Sequence, residues 1–233
     1  MKTLIIIPAY NEEENIERTV TNLKKICPET DYIVVNDGSK DRTAEICQKN
    51  GYKILNLPVN LGLAGAFQAG IRYADEYGYD AALQFDGDGQ HDPRFISDME
   101  TKMVKENYDI VIGSRFCTQK KPVTARMLGS RLLTFAIKLT TGKKVNDPTS
   151  GMRLFNRDMI ECFSRNVNYG PEPDTISYLI SNGAKVSEVQ VQMSERVAGV
   201  SYLSFGRSIR YMMNMFVSIL LIQLFRQERR KKG

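Results

Sequence analysis

At 233 residues, with 42% hydrophobic and 25% charged content, the chain suits one globular domain with a sizeable core. The net charge of +5 is modest and partly local, since Arg226, Arg229, Arg230, Lys231 and Lys232 face the single acid Glu228 near the C-terminus. That layout argues against a coat for nucleic acid and for a basic tail beside an anionic surface, while four scattered cysteines and one histidine, His91, exclude a zinc site of familiar spacing.

The chain opens on a β-rich run at residues 4–7, closed by Pro8 and too short for a signal peptide, so a cytoplasmic chain with reduced thiols is expected. Further buried strands are predicted at 32–35, 53–57, 81–85 and 110–112, all parallel with the first at 3–7. Helices are predicted near 12–26, 41–50, 63–77 and 93–106. Asn11 is expected as N-cap of the first, with Glu12, Glu13 and Glu14 in its opening turn, where the helix dipole favours anions. Strand–helix alternation of this kind builds an open α/β sheet that binds ligands at the carboxyl ends of its strands.

After residue 115 the alternation stops. A helix is predicted at 126–141, then a loop from Asn146 to Gly151, a strand at 152–155, two helices, and a long strand at 185–193. Residues 211–225 read as an apolar helix of ~22 Å at ~1.5 Å per residue, shorter than the ~20 apolar residues of a full span. Arg207, Arg210, Asn214 and Ser218 fall on one face of it, opposite Met, Phe and Leu side chains. With the basic tail, this segment reads as an interfacial helix on an anionic leaflet, or alternatively as a helix packed on the core or on a second copy.

Four polar clusters follow predicted strands: Pro8-Ala9-Tyr10-Asn11-Glu12, Asn36-Asp37-Gly38-Ser39, Asn60-Leu61-Gly62 and Asp86-Gly87-Asp88-Gly89. The sheet rule sends all four to one rim. Asp86 and Asp88, spaced by glycine at a strand end, can hold a hard divalent cation against a diphosphate. Asp-Gly pairs also mark ordinary turns, so the longer string Phe85-Asp86-Gly87-Asp88-Gly89-Gln90-His91-Asp92-Pro93 carries more weight than the triplet.

With Asp147-Pro148-Thr149-Ser150-Gly151-Met152-Arg153, these stretches resemble, in order, family-two glycosyltransferases, and within them the polyprenyl-phosphate (dolichol-phosphate) sugar synthases. The likeness runs from residue 4 to about residue 202. It implies a GT-A type fold: a mostly parallel open sheet flanked by helices, here as a catalytic domain over 1–203. An amphipathic membrane-surface helix with a basic tail would occupy 204–233. It also implies inverting transfer from a UDP- or GDP-sugar, with Mg²⁺ or Mn²⁺, to a polyprenyl phosphate lipid at the inner face of the membrane.

Carried over by position, Pro8, Tyr10, Glu12, Asp37 and Gly62 would contact the donor. Asp86, Asp88 and Gln90 would hold the metal, with Asp86 and Gln90 also touching the donor. Arg115, Arg126, Arg131, Ser150, Arg153, Arg196 and Ser201 would hold the acceptor phosphate, for which fork-shaped guanidinium groups and hydroxyls are suited. Asp174, in Glu172-Pro173-Asp174, is the candidate for a general base or, equally, a helix N-terminal residue. The chain departs from the family pattern at Asn36, Leu63 and Tyr202, where an acid or a cation is common. A saccharide hydroxyl as acceptor, and a catalytically silent nucleotide-sugar-binding subunit, are the alternatives. A small membrane partner or a homo-oligomer is compatible with either enzyme reading.

Overall fold

The computed structural model of the protein describes residues 1–165, 170–194 and 205–222, with the side chains of 125–126, 205–207 and 222 outside that description. The strands are β1 Thr3–Ala9, β2 Asp31–Asn36, β3 Ile54–Asn56, β4 Ala81–Gln84, β5 Ile110–Ser114, β6 Arg153–Asn156 and β7 Val186–Gln190. They form one sheet in the order β3-β2-β1-β4-β6-β5-β7. Neighbours pair in parallel except at β6, which runs against both β4 and β5.

The central strand β1 explains the apolar run that opens the chain. Leu4, Ile5, Ile6 and Ile7 are wholly buried, and alternate residues feed two separate cores. Leu4 and Ile6 pack with Ile33, Val35, Phe67 and Ile71. Ile5 and Ile7 pack with Val34, Ile16, Val20 and Met99. A strand with helices on both faces has no solvated side, so it reads as continuous rather than alternating hydrophobicity.

One face carries α1 Ile16–Ile26, α2 Thr43–Lys49 and α4 Ile96–Glu106, the last entered by a 3₁₀ turn at Pro93–Phe95. The other carries α3 Gly62–Glu76, α5 Ala125–Thr141, α6 Arg157–Arg165, α7 Pro173–Ser181 and α8 Phe205–Val217. Thr124 caps α5 by accepting the Met127 N–H at 3.3 Å, and Gly142, at φ 71°, ends it.

Three expectations need correction. The first helix begins at Ile16 with Asn15 at its N-cap, so Glu12, Glu13 and Glu14 stand in the preceding loop. Asn11 adopts φ 54° there and is a loop residue. The third strand is three residues long and only half-buried, as befits the sheet edge. The last strand stops at Gln190, short of the predicted 193.

The C-terminal helix divides its apolar residues between two sides. Met212, Met215 and Phe216 pack on the core, as do Ile219 and Leu220 of the π-type turn Ser218–Ile222 that follows. Ile209, Met213, Val217 and Leu221 face outward. Ser218, expected on the polar outer face, is buried. The helix lies against α5 and α7, and a Cβ on Gly129 of α5 would stand 2.9 Å from Met212. Among the described residues no helix is long and apolar enough to cross a membrane. The basic tail lies outside the described residues.

Candidate active site

The loops after β1, β2 and β3 and the loop after β4 meet at one end of the sheet. Asp37 donates its N–H to Ala9 O at 2.9 Å, fastening the ends of β1 and β2 together. Ser39 Oγ accepts the Asn11 N–H at 3.0 Å, and Asn11 Oδ1 accepts the Lys40 N–H at 2.8 Å. The left-handed backbone of Asn11 is what lets one side chain and its own amide grip both neighbours. Glu12 N–H donates to Thr43 Oγ1 at 2.9 Å, and the Glu12 carboxylate accepts from Asn15 at 2.7 Å.

Asp37 is buried, and its carboxylate accepts the Leu61 N–H at 2.7 Å. Burial raises its carboxyl above the usual range, against the N–H groups of Leu61 and Gly62, which favour the charged form. The turn fits because Gly38 has φ 66° and no side chain. A Cβ there would lie 2.7 Å from Asn60 N. Gly62 itself opens α3 at φ 76°.

The acidic turn after β4 is held by the molecule's one histidine. Asp86 N–H donates to His91 Nδ1 at 2.9 Å, which places the ring hydrogen of the neutral imidazole on Nε2. That nitrogen lies 3.5 Å from Asp86 Oδ2, and Gln84 donates to Oδ1 at 3.3 Å. Asp88 Oδ1 accepts the Gln90 N–H at 3.1 Å. Gly87 O accepts from Thr19 of α1 at 3.0 Å, and the Gln90 backbone pairs with Ser194.

Among the described residues no group of three or more His, Cys, Asp or Glu side chains could enclose a metal. The donor set nevertheless fits a cation shared with a ligand. Mg²⁺-like ions bind through one or two carboxylates, with phosphate and water completing the octahedron. Asp86 and Asp88 are partly exposed on one glycine-spaced turn and match that pattern. A cleft of about 380 Å³ also opens beside the rim, lined by Asn11, Glu13, Glu14, Asn15, Lys40 and Asp41. None of the expected donor residues lines it.

The reversed strand β6 explains why a distant segment joins this rim. Running against β4, it pairs Arg153 with Gln84 and so enters the sheet where β4 leaves it. The preceding loop is thereby pressed onto the acidic turn, and a Cβ on Gly151 would stand 2.5 Å from Asp86 Oδ2. Ser150 Oγ donates to Gly113 O at 2.5 Å, tying the same loop to β5.

Of the expected acceptor residues, those whose side chains are described do not gather into one open patch. Arg115 makes two parallel bonds to Asp147, at 2.7 and 2.8 Å. Burial pushes the Asp147 carboxyl up, but the Arg115 bonds win and hold it below the usual range. Glu188 of β7 accepts the Asn146 and Asp147 N–H groups at 2.7 and 2.8 Å, an anchor not apparent in the sequence. Arg131 is exposed on α5 and donates to Lys121 O at 2.8 Å. Arg153 is 1% exposed, and its guanidinium donates to the backbone oxygens of Ser150, Pro148 and Pro171. The Ser150 hydroxyl is likewise committed, to Gly113 O of β5. Arg126 opens α5 with its side chain outside the described residues, and Arg196 and Ser201 lie outside them altogether.

Asp174 stands in the first turn of α7, where its carboxylate accepts from Ser218 at 2.6 Å and from the Thr175 N–H at 2.8 Å. Lys121 was also not anticipated. It donates to Ser130 at 2.8 Å and Thr134 at 3.1 Å, and burial pushes its ammonium down to about 8.

The family model described as glycosyl transferase family 2 matches residues 4–163. The chain belongs to that family. It is 30% identical over 222 residues to the polyprenol monophosphomannose synthase of Mycolicibacterium smegmatis, covering 90% of this chain and 83% of that protein. It is 30% identical over 218 residues to the undecaprenyl-phosphate mannosyltransferase of Micrococcus luteus, covering 88% and 89%. Among solved structures, glucosyl-3-phosphoglycerate synthase from Mycobacterium tuberculosis, in complex with Mn²⁺, UDP and phosphoglyceric acid, superposes with a TM-score of 0.68 at 17% identity, covering 94% of this chain and 78% of that one. The fold is thus of GT-A type and the protein is a glycosyltransferase.

Proposed function

We propose that this glycosyltransferase moves a sugar from a nucleoside-diphosphate donor to a polyprenyl phosphate, with inversion at the sugar carbon. The carrying observation is the knitting of four strand-end loops into one rim that presents Asp37 and the Asp86–Asp88 turn together. The relatives named for polyprenol and undecaprenyl phosphate support the acceptor.

On this reading Pro8, Tyr10, Glu12, Asp37 and Gly62 cradle the nucleoside. Asp86 and Asp88, with Gln90 beside them, would hold Mg²⁺ or Mn²⁺, which supplies neutralising charge at the departing diphosphate. An oxygen of the acceptor phosphate attacks the sugar carbon as the bond to the donor diphosphate breaks, and the nucleoside diphosphate leaves. That oxygen is ionised at neutral pH, so alignment matters more than proton removal, and Asp174 has no proton to take. Arg131, with Arg126, Arg196 and Ser201, would receive the acceptor phosphate. Arg115, Arg153 and Ser150 would shape the loop beside it.

On this reading the reaction takes place at an anionic membrane surface. Leu128, Phe135 and Leu139 of α5 are exposed, as are Ile209, Met213, Val217 and Leu221 of the adjoining C-terminal segment. Between residues 116 and 145 there are seven cations and no acid. An apolar row with a cationic rim suits an anionic leaflet.

The test is a panel of UDP-glucose, UDP-galactose, UDP-GlcNAc and GDP-mannose with Mg²⁺ or Mn²⁺ and undecaprenyl phosphate in anionic liposomes. One donor should yield a sugar–phosphate–lipid product, and replacing the four outward C-terminal residues by serine should release the protein from the liposomes. Transfer only to a saccharide would sink the lipid-phosphate reading. Undiminished liposome binding by the serine variant would remove the membrane face.

A further inference from the structure

Among the described residues Arg153 is the largest of the wholly buried side chains, and it is charged. A buried guanidinium is costly unless its donors are met and an opposite charge stands near, and an apolar side chain of similar volume often stabilises a core as well or better. Stability alone is therefore a poor reason for an arginine here.

Its contacts suggest another. Pro148 O and Ser150 O belong to the loop that presses on Asp86, whereas Pro171 O belongs to the segment leading into α7. One planar fan of donors thus fastens two separate segments in a fixed relation, which a lysine, with its single point of charge, does not reproduce. Gly151, directly after Ser150, backs the Asp86 carboxylate.

The countercharge comes from the next residue along the second segment. Glu172 opposes the loss of charge that burial imposes on Arg153, and its carboxylate accepts the hydroxyl of Tyr211 on α8. Burial, then the Glu172 charge, pushes the Tyr211 phenol up, so the hydroxyl stays protonated and donates. A second bond, from Ser218 to Asp174, ties the same C-terminal segment to the same region.

We propose that Arg153 is a positioning residue of the transfer site, and that Glu172 and Tyr211 hold it in place, so that α8 sets the position of the Asp86 carboxylate through the 147–151 loop. This rests on the proposed donor site at Asp86 and Asp88. It assigns α8 an inward role, separate from its outward apolar row.

Three variants, Tyr211→Phe, Glu172→Gln and Arg153→Lys, decide it. Each is read by thermal midpoint, by calorimetric affinity for UDP and for GDP with Mn²⁺, and by kcat and KM of transfer. Tyr211→Phe removes one hydroxyl and should leave the thermal midpoint within a few degrees. It should lower kcat about tenfold, the scale of one hydrogen bond to a charge, and weaken diphosphate affinity in parallel. Arg153→Lys should cost more, and adding Tyr211→Phe to it should cost little further, because both act through one network.

Unchanged kcat and unchanged affinity in folded Tyr211→Phe and Glu172→Gln would overturn the proposal, as would strict additivity with Arg153→Lys. If Arg153→Lys does not fold, the other two variants still decide. If the wild type binds a diphosphate with Mn²⁺ yet glycosylates no lipid phosphate, the acceptor reading fails, while the affinities still test the network.

Discussion

The two halves of the site rim are built on different principles. On the β1–β4 side, short loops follow parallel strands, and backbone amides meet neighbouring side chains, as at Asn11 with Ser39 and Asp37 with Leu61. On the β5–β7 side, charged side chains hold the loop: Arg115 with Asp147, Glu188 with two amides, and Arg153 with three carbonyls. The first half is a receptacle in which Asp37 is buried while Asp86 and Asp88 stay partly exposed. The second spends its charges internally to hold a wall in place. A motif rich in arginine is therefore not by itself an anion site, because a guanidinium satisfies backbone oxygens equally well.

The comparison predicts losses of different kinds. Asp88→Ala on the first side should reduce transfer about a thousandfold while leaving the thermal midpoint near that of the wild type, since it removes charge from the proposed diphosphate site and not from the core. Sugar-transfer assays beside a melting curve check this, and a melting loss as large as the activity loss would erase the distinction. On the second side, Asp147→Asn should act mainly on stability, by about 2–3 kcal/mol in denaturant unfolding, because Arg115 keeps its partly buried charge without the paired carboxylate. Full stability in that variant would show the ion pair to be dispensable.

The smallest effect concerns pH. Lys121 has its ammonium pushed down to about 8 by burial, from an ordinary 10.5. Between those values the unfolded chain binds more protons than the folded one, so this residue makes stability rise with pH across that window. Below pH 8 both states carry the proton and the cost of burying the charge is present in full. Unfolding free energies from pH 7 to 10.5, compared between wild type and Lys121→Met, should show the wild type gaining relative to the variant. Parallel curves would mean that Lys121 is charged without cost.

Much of the first half was legible in the sequence for a physical reason. A parallel strand buried on both faces must be continuously apolar, as residues 4–7 are, and polar residues following such strands have only the carboxyl rim to occupy. Glycine-spaced Asp86 and Asp88 then stood out by chemistry as well as position. The helix start misplaced at Asn11 came from the same local rules: an asparagine followed by three acids looks like a cap, but tertiary bonds to Ser39, Lys40 and Thr43 draw those residues into a loop.

The second half was not legible, because its partners are far apart in the chain. Arg115 meets Asp147, Arg153 meets Pro171, and Tyr211 meets Glu172, and no periodicity announces such pairs. Similarly, a C-terminal helix with a broad apolar face can turn either side of that face to the protein. Only packing against α5 and α7 decides that Met212, Met215 and Phe216 go in and Ile209, Met213 and Val217 stay out. The sequence by itself determined the parallel strands of the first half and the polar clusters that follow them, the acidic turn included, since those follow from local periodicity and the geometry of parallel strands. The tertiary structure decided which charges face the rim and which hold it together, because that depends on where a reversed strand brings remote backbone oxygens.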